Sequence, residues 1–123
     1  MKALVCREFG PIENLTVEDI DPPRPGPGQV LVDVKAASLN FPDALMVQGL
    51  YQVKPPVPFS PGHEIAGVVS KLGEGVVGVS PGDAVIGTPG VGGFAEQCVV
   101  ARERVTPLPA GMDFATASAF VLT

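Results

Sequence analysis

Gly73-Glu74-Gly75-Val76-Val77-Gly78-Val79-Ser80-Pro81-Gly82 decides the fold class. The first six residues spell G-x-G-x-x-G and follow an apolar run, Ile65 to Leu72, that reads as a strand. A dinucleotide fingerprint needs its third glycine to open a helix, because the amides of that helix N-terminus hold the pyrophosphate. Pro81 and Gly82 arrive within four residues of Gly78, and no helix fits between them. The stretch therefore reads as a β-turn region in an all-β domain. Gly90-Val91-Gly92-Gly93 fails for the same reason, since Phe94-Ala95-Glu96-Gln97-Cys98-Val99 reads as strand.

The surrounding pattern agrees. Val30, Val32 and Val34 alternate with Leu31, Asp33 and Lys35, a period-2 strand with one face of valine. Further strands are expected at Lys2 to Arg7, Leu15 to Ile20, Ala84 to Ile86, Phe94 to Ala101 and Val105 to Leu108. Pro22-Pro23-Arg24-Pro25-Gly26-Pro27-Gly28 lacks the N–H groups for a ladder, and Pro55 to Pro61 is irregular. The period changes after Asn40. Pro42 suits a first helical turn, Asp43 the positive end of the dipole and Gly49 the stop, which predicts a helix over Pro42 to Gln48. Asp113 suits the cap of a last helix, with Phe114, Ala117 and Val121 on one stripe and Phe120 beside it. That apolar pattern has no stop signal before Thr123, so the chain is expected to break off ahead of a further domain, and Phe114 to Leu122 to offer a surface for self-association.

A chain of 123 residues with 46% apolar content fits one domain with a real core. Its 15 glycines and 14 prolines punctuate short apolar runs, as in a turn-rich β domain. The net charge of −5, the single tyrosine and the lack of tryptophan or any basic run argue against nucleic acid and anionic membrane as partners. No apolar run approaches the roughly 20 residues of a membrane span, and the N-terminus lacks the pattern of a secretion signal. The expectation is a soluble cytoplasmic protein. Cys6 and Cys98 sit in apolar strand-like runs and read as buried free thiols, although spacing alone leaves a disulfide open.

Gly62-His63-Glu64-Ile65-Ala66-Gly67, then Gly73 and Val76, matches the G-H-E-x-x-G-x5-G-x-x-V signature of zinc alcohol dehydrogenases. Pro25 to Val32, Gly82-Asp83-Ala84-Val85 and Gly92-Gly93-Phe94-Ala95-Glu96 are in register with the same series. Over essentially its whole length the chain resembles the N-terminal, GroES-like (chaperonin-10-like) domain of the medium-chain dehydrogenase/reductase superfamily. The resemblance implies a mainly β fold, a partly open barrel with a few short helices, ending before a Rossmann cofactor domain.

The branch within that superfamily turns on metal. A catalytic zinc keeps three protein ligands and one open position. In the zinc enzymes the first ligand is a cysteine where this chain has Asn40, and an amide oxygen is a poor zinc ligand. His63 is then a lone former ligand, read here as a histidine hydrogen-bonded near a turn. Asn40-Phe41-Pro42-Asp43, continuing to Tyr51, is similar to the zinc-independent quinone oxidoreductases. That resemblance implies NADPH as cofactor, no metal, and a quinone or other α,β-unsaturated carbonyl as substrate. It places Asn40 and Tyr51 in the catalytic site, with Asn40, Phe41 and Thr123 beside the nicotinamide. Each has a plainer reading as well. Asn40 can cap the helix, Tyr51 can simply pack its ring, and Phe41 can belong to the core. Asp43 has a sufficient reason at the helix start and is left out of the catalytic set. Two other classes stay open: a fragment of a zinc-dependent dehydrogenase, and a stand-alone interaction module of chaperonin-10-like fold.

Overall fold

The computed structural model describes residues 1–52 and 54–119. Seven strands, β1 (Lys2–Val5), β2 (Thr16–Asp19), β3 (Gln29–Ser38), β4 (Glu64–Leu72), β5 (Ala84–Gly87), β6 (Gln97–Ala101) and β7 (Val105–Pro107), are joined by two short helices, α1 (Phe41–Val47) and α2 (Phe114–Ser118). The larger sheet has the order β6-β3-β4-β5-β7, and the smaller pairs β1 with β2. Every ladder is antiparallel. Neither sheet closes on itself, which matches the expected mainly β, partly open barrel of GroES-like type.

The valine alternation sets the core. Val30 and Val32 of β3 are fully buried with Ile65 and Val69 of β4, Val85 of β5, and Cys98 and Val100 of β6. The opposite face is also covered, because Ala66 and Ile86 lie under Ala117 of α2, flanked by Phe114, Leu108 and Met112. Asp113 caps α2 as expected, accepting the Thr116 N–H at 2.6 Å. Burying both faces of the central strands is what lets a sheet of short elements hold together. Phe120, Val121 and Thr123 lie outside the described residues.

Two expectations need correction. The strand expected from Phe94 begins only at Gln97. Phe94 and Glu96 are drawn away to β1: the Leu4 N–H donates to Phe94 O at 2.8 Å, and the Glu96 N–H to Lys2 O at 3.0 Å. This exchange ties the small sheet to the large one. Two 3-10 turns, Ile12–Asn14 and Arg102–Arg104, were not expected, since three residues are too few to show a period.

The G-x-G-x-x-G stretch is turn, as read. The Gly73 N–H donates to Gln29 O at 2.7 Å and the Gly28 N–H to Glu74 O at 2.9 Å, closing the β3–β4 end of the sheet. Gly73 is glycine because a Cβ there would stand 1.9 Å from the Gly26 carbonyl oxygen.

Candidate active site

β3 runs out at Ser38, and the chain turns through Leu39 and Asn40 into α1. Asn40 is the N-cap, with extended backbone, and its plainer reading as a cap therefore holds. The cap is built reciprocally in part: the Asn40 N–H donates to Asp43 Oδ2 at 2.9 Å, and the Asp43 N–H donates to the Asn40 carbonyl at 3.0 Å. The Asn40 side chain does something else. Its Nδ2 donates to Ser38 Oγ at 3.1 Å, and that hydroxyl donates to Glu64 Oε1 at 3.0 Å. Glu64 is fully buried at the start of β4.

β4 enters directly after His63. Gly62 holds φ +120°, and a Cβ there would meet the Gly93 backbone at 2.7 Å, so the loop before β4 packs flush against the 92–94 loop. This close approach swings His63 back over α1. Its Nδ1 lies 2.5 Å from Asp43 Oδ1, with the carboxylate 2% exposed and the imidazole 19% exposed. Tyr51 meets the imidazole edge-on, ring centres 6.3 Å apart at 87°. Tyr51 also packs against Cys6, Met46, Val47 and Phe59, so its plainer reading holds too.

The structure thus links Ser38, Asn40, Asp43, His63 and Glu64 by hydrogen bonds and sets the Tyr51 ring against the imidazole. Asn40 and Tyr51 were singled out from sequence. Asp43 was set aside, yet each of its oxygens has its own partner. The signal that could have found it is the pairing of a buried-type carboxylate with the only histidine, but that pairing spans β3–α1 to β4 and is invisible locally. Phe41, expected in the cleft wall or the core, is 76% exposed and so is not a core residue. Thr123 falls outside the described residues. Leu39 and Leu50, also exposed, continue the apolar rim around α1. Ile12, Leu39, Ala44, Val47 and Phe94 line a cavity of about 250 Å³ beside Asp43.

Among the described residues no three His, Cys, Asp or Glu side chains gather as a metal site. Asn40 supplies an amide where the zinc enzymes have a thiolate, and an amide oxygen is a poor zinc ligand, so the residues beside His63 are a weak fit to zinc. The Asn40 amide suits a nicotinamide better. Only one of the two Nδ2 hydrogens of Asn40 is committed to Ser38, and the other can donate to a carboxamide or ribose oxygen. Cys6 and Cys98 are both buried and unbridged, as expected. Burial pushes the Cys98 thiol up to about 12.

Known proteins resemble the chain in sequence and in fold. Residues 26–110 match the alcohol dehydrogenase GroES-like domain. The chain is 38% identical over 117 residues to the quinone oxidoreductase-like protein 2 of Rattus norvegicus, covering 95% of this chain and 33% of that protein. A probable oxidoreductase from Mycobacterium abscessus superposes with a TM-score of 0.92 at 44% identity, over 98% of this chain and 38% of its own. The Escherichia coli quinone oxidoreductase complexed with NADPH superposes with a TM-score of 0.92 at 30% identity, over 99% of this chain and 37% of its own. The chain spans about a third of the length of the curated relatives it matches.

Proposed function

The chain belongs to the alcohol dehydrogenase GroES-like domain family, among the quinone oxidoreductase-like medium-chain dehydrogenases/reductases, and from that membership we propose that it forms the substrate side of a zinc-independent, NADPH-dependent reductase of quinones or other α,β-unsaturated carbonyls. The observation that carries this reading is Asn40 at the start of α1, its amide held by Ser38, in a fold that superposes over nearly its whole length on a quinone oxidoreductase complexed with NADPH.

The bound cofactor would supply hydride to the β-carbon of the substrate. Asn40 would hold the nicotinamide side of the cofactor through its uncommitted Nδ2 hydrogen with Phe41 nearby, and Thr123, expected at the same ring, lies outside the described residues. The carbonyl oxygen gains negative charge as hydride arrives, and in this reading hydrogen-bond donors of the chain, Tyr51 among them, stabilise it in place of a metal. The apolar rim of Leu39, Phe41 and Leu50 suits a flat, weakly polar substrate.

Positioning supplies much of the rate of hydride transfer. A polypeptide of residues 1–123 offers the dinucleotide contacts at one end only, and the cost of immobilising so flexible a ligand is then poorly offset. NADPH affinity of this polypeptide should be about millimolar or weaker by calorimetry, and quinone-dependent NADPH oxidation should stay at background. Joining residues 1–123 to the remaining, NADPH-binding part of the Escherichia coli quinone oxidoreductase should produce NADPH oxidation with a simple quinone or enone. A joined protein that folds, binds NADPH and reduces neither acceptor overturns the proposal. The same preparations address partners and location: sedimentation reports self-association through the C-terminal apolar segment, a ring-sized assembly would favour the interaction module, and fractionation tests the proposed cytoplasmic location.

A further inference from the structure

We infer that His63, oriented by Asp43, is the acid that protonates the reduced substrate. This inference rests on the reading of the site given above. Asp43 is the third residue of α1, and the Asn40 N–H at 2.9 Å occupies its Oδ2. The carboxylate is therefore fixed by the same helix start that places Asn40. Its Oδ1, 2.5 Å from His63 Nδ1, grips the imidazole at one nitrogen. The other nitrogen, Nε2, has no partner among the described residues. No side-chain nitrogen or oxygen among the described residues is both buried and unpartnered, so Nε2 reaches solvent-accessible space. Tyr51, edge-on to the imidazole, holds the plane of the ring.

A buried carboxylate, an imidazole bonded to it and an open second nitrogen form the arrangement that moves a proton to or from a ligand. A carboxylate needed only for the helix start has no use for this. A surface Asp at that position would cap α1 equally well, without the cost of burying a charged group. The Tyr51 hydroxyl, by contrast, has no hydrogen-bond partner among the described residues that would aim or recharge it. His63 is the better supported donor.

In the proposed step the imidazole starts doubly protonated. Its Nδ1–H stays with Asp43, and its Nε2–H faces the carbonyl oxygen of the substrate. Hydride addition at the β-carbon turns the enone into an enolate. The Nε2–H bond then breaks and an O–H bond forms on the enolate oxygen. The resulting enol tautomerises to the saturated ketone in water, and the neutral imidazole regains its proton from solvent. The two electrons and one hydrogen come from the cofactor and the proton from His63, so the step balances. His63 is the catalytic residue here, and Asp43 is a positioning residue.

The only histidine of the chain makes the test direct. Nitrogen-15 imidazole spectra of the 123-residue chain should show the neutral ring protonated at Nδ1, with that preference lost in Asp43→Asn. A neutral ring protonated at Nε2 would overturn the orientation. In the joined two-domain enzyme, His63→Gln should lower kcat for an enone about 100-fold with KM within a few-fold. His63→Gly should be partly rescued by added imidazole, an effect that misfolding cannot mimic. Tyr51→Phe should lose less than His63→Gln. If the unmodified two-domain enzyme reduces enones and His63→Gln stays within threefold of it, this inference fails while the proposed function stands. If the unmodified enzyme folds and binds NADPH yet reduces neither quinone nor enone, both fall.

Discussion

Replacing Gly73 by alanine tests whether the glycine string is a structural turn. An alanine Cβ would lie 1.9 Å from Gly26 O and 2.7 Å from Gln29 O. An ordinary carbon–oxygen contact is about 3.3 Å, so the Gly26 carbonyl would have to retreat by roughly 1.4 Å. That carbonyl belongs to the turn closed by the Gly73–Gln29 and Gly28–Glu74 hydrogen bonds, and the retreat breaks or stretches both. At about 1 kcal/mol for each bond and about 1–3 kcal/mol for overpacking, the variant should lose about 3–5 kcal/mol. That is a large share of the roughly 5–15 kcal/mol that holds a domain together. Gly75 is the control. Its φ is +80° with open space around the Cβ position, so Gly75→Ala should cost only the left-handed penalty, about 1–2 kcal/mol. Urea unfolding followed by far-UV circular dichroism measures both variants, and a Gly73→Ala chain that fails to fold lies on the expected side. Equal losses, or a Gly73→Ala loss below about 1 kcal/mol, would refute the packing account and reopen a ligand-binding role for the loop.

Three further outcomes are expected. Purified protein should carry well under one zinc per chain by metal analysis, and Asn40→Cys should raise zinc affinity only slightly. Stoichiometric zinc would move the chain to the zinc-dependent branch. The backbone N–H of Thr116 holds the Asp113 carboxyl below its ordinary value, so Asp113 contributes stability above that ordinary value and loses it as pH falls through its lowered folded value. The stability gap between the unmodified chain and Asp113→Ala should thus be present at neutral pH and close below about pH 4, and a gap unchanged down to pH 2 would refute the cap. With its thiol pushed up to about 12, Cys98 should resist a soluble disulfide reagent at pH 8 until the chain is unfolded, and rapid labelling of native protein would contradict its burial.

Much of the fold was legible because its signals are local. The Val30, Val32, Val34 alternation needs only a period of two, and the Asn40-to-Gly49 and Asp113 signals need only one helical turn each. Apart from the two 3-10 turns, too short to show a period, what failed was non-local. Phe94 to Ala101 has the composition of one strand, but its first residues are claimed by Lys2 and Leu4, some ninety positions away in the chain. The site divides the same way. Asn40 and Tyr51 were found through motif likeness. Asp43 was passed over because the helix dipole already accounted for an acidic residue there, and a satisfied local rule raises no flag. Its burial and its bond to His63 exist only once β4 is laid beside β3, and that pairing is a tertiary event.

An open sheet has two outer strands, and the way this one ends bears on how the molecule behaves in a crowded solution. β7 contains Val105, Thr106 and Pro107, and a proline there offers no N–H to an incoming strand. At the other side, Ile20, Asp21 and Pro23 share a groove with Gln97, Cys98 and Val99 of β6, placing a proline-rich segment where a neighbouring backbone would have to approach. Prolines stand at both margins, a common natural defence against edge-to-edge growth into aggregates. The consequence concerns sequence change. Pro107→Val or Pro23→Val should leave the core intact and still make the protein more prone to ordered aggregation.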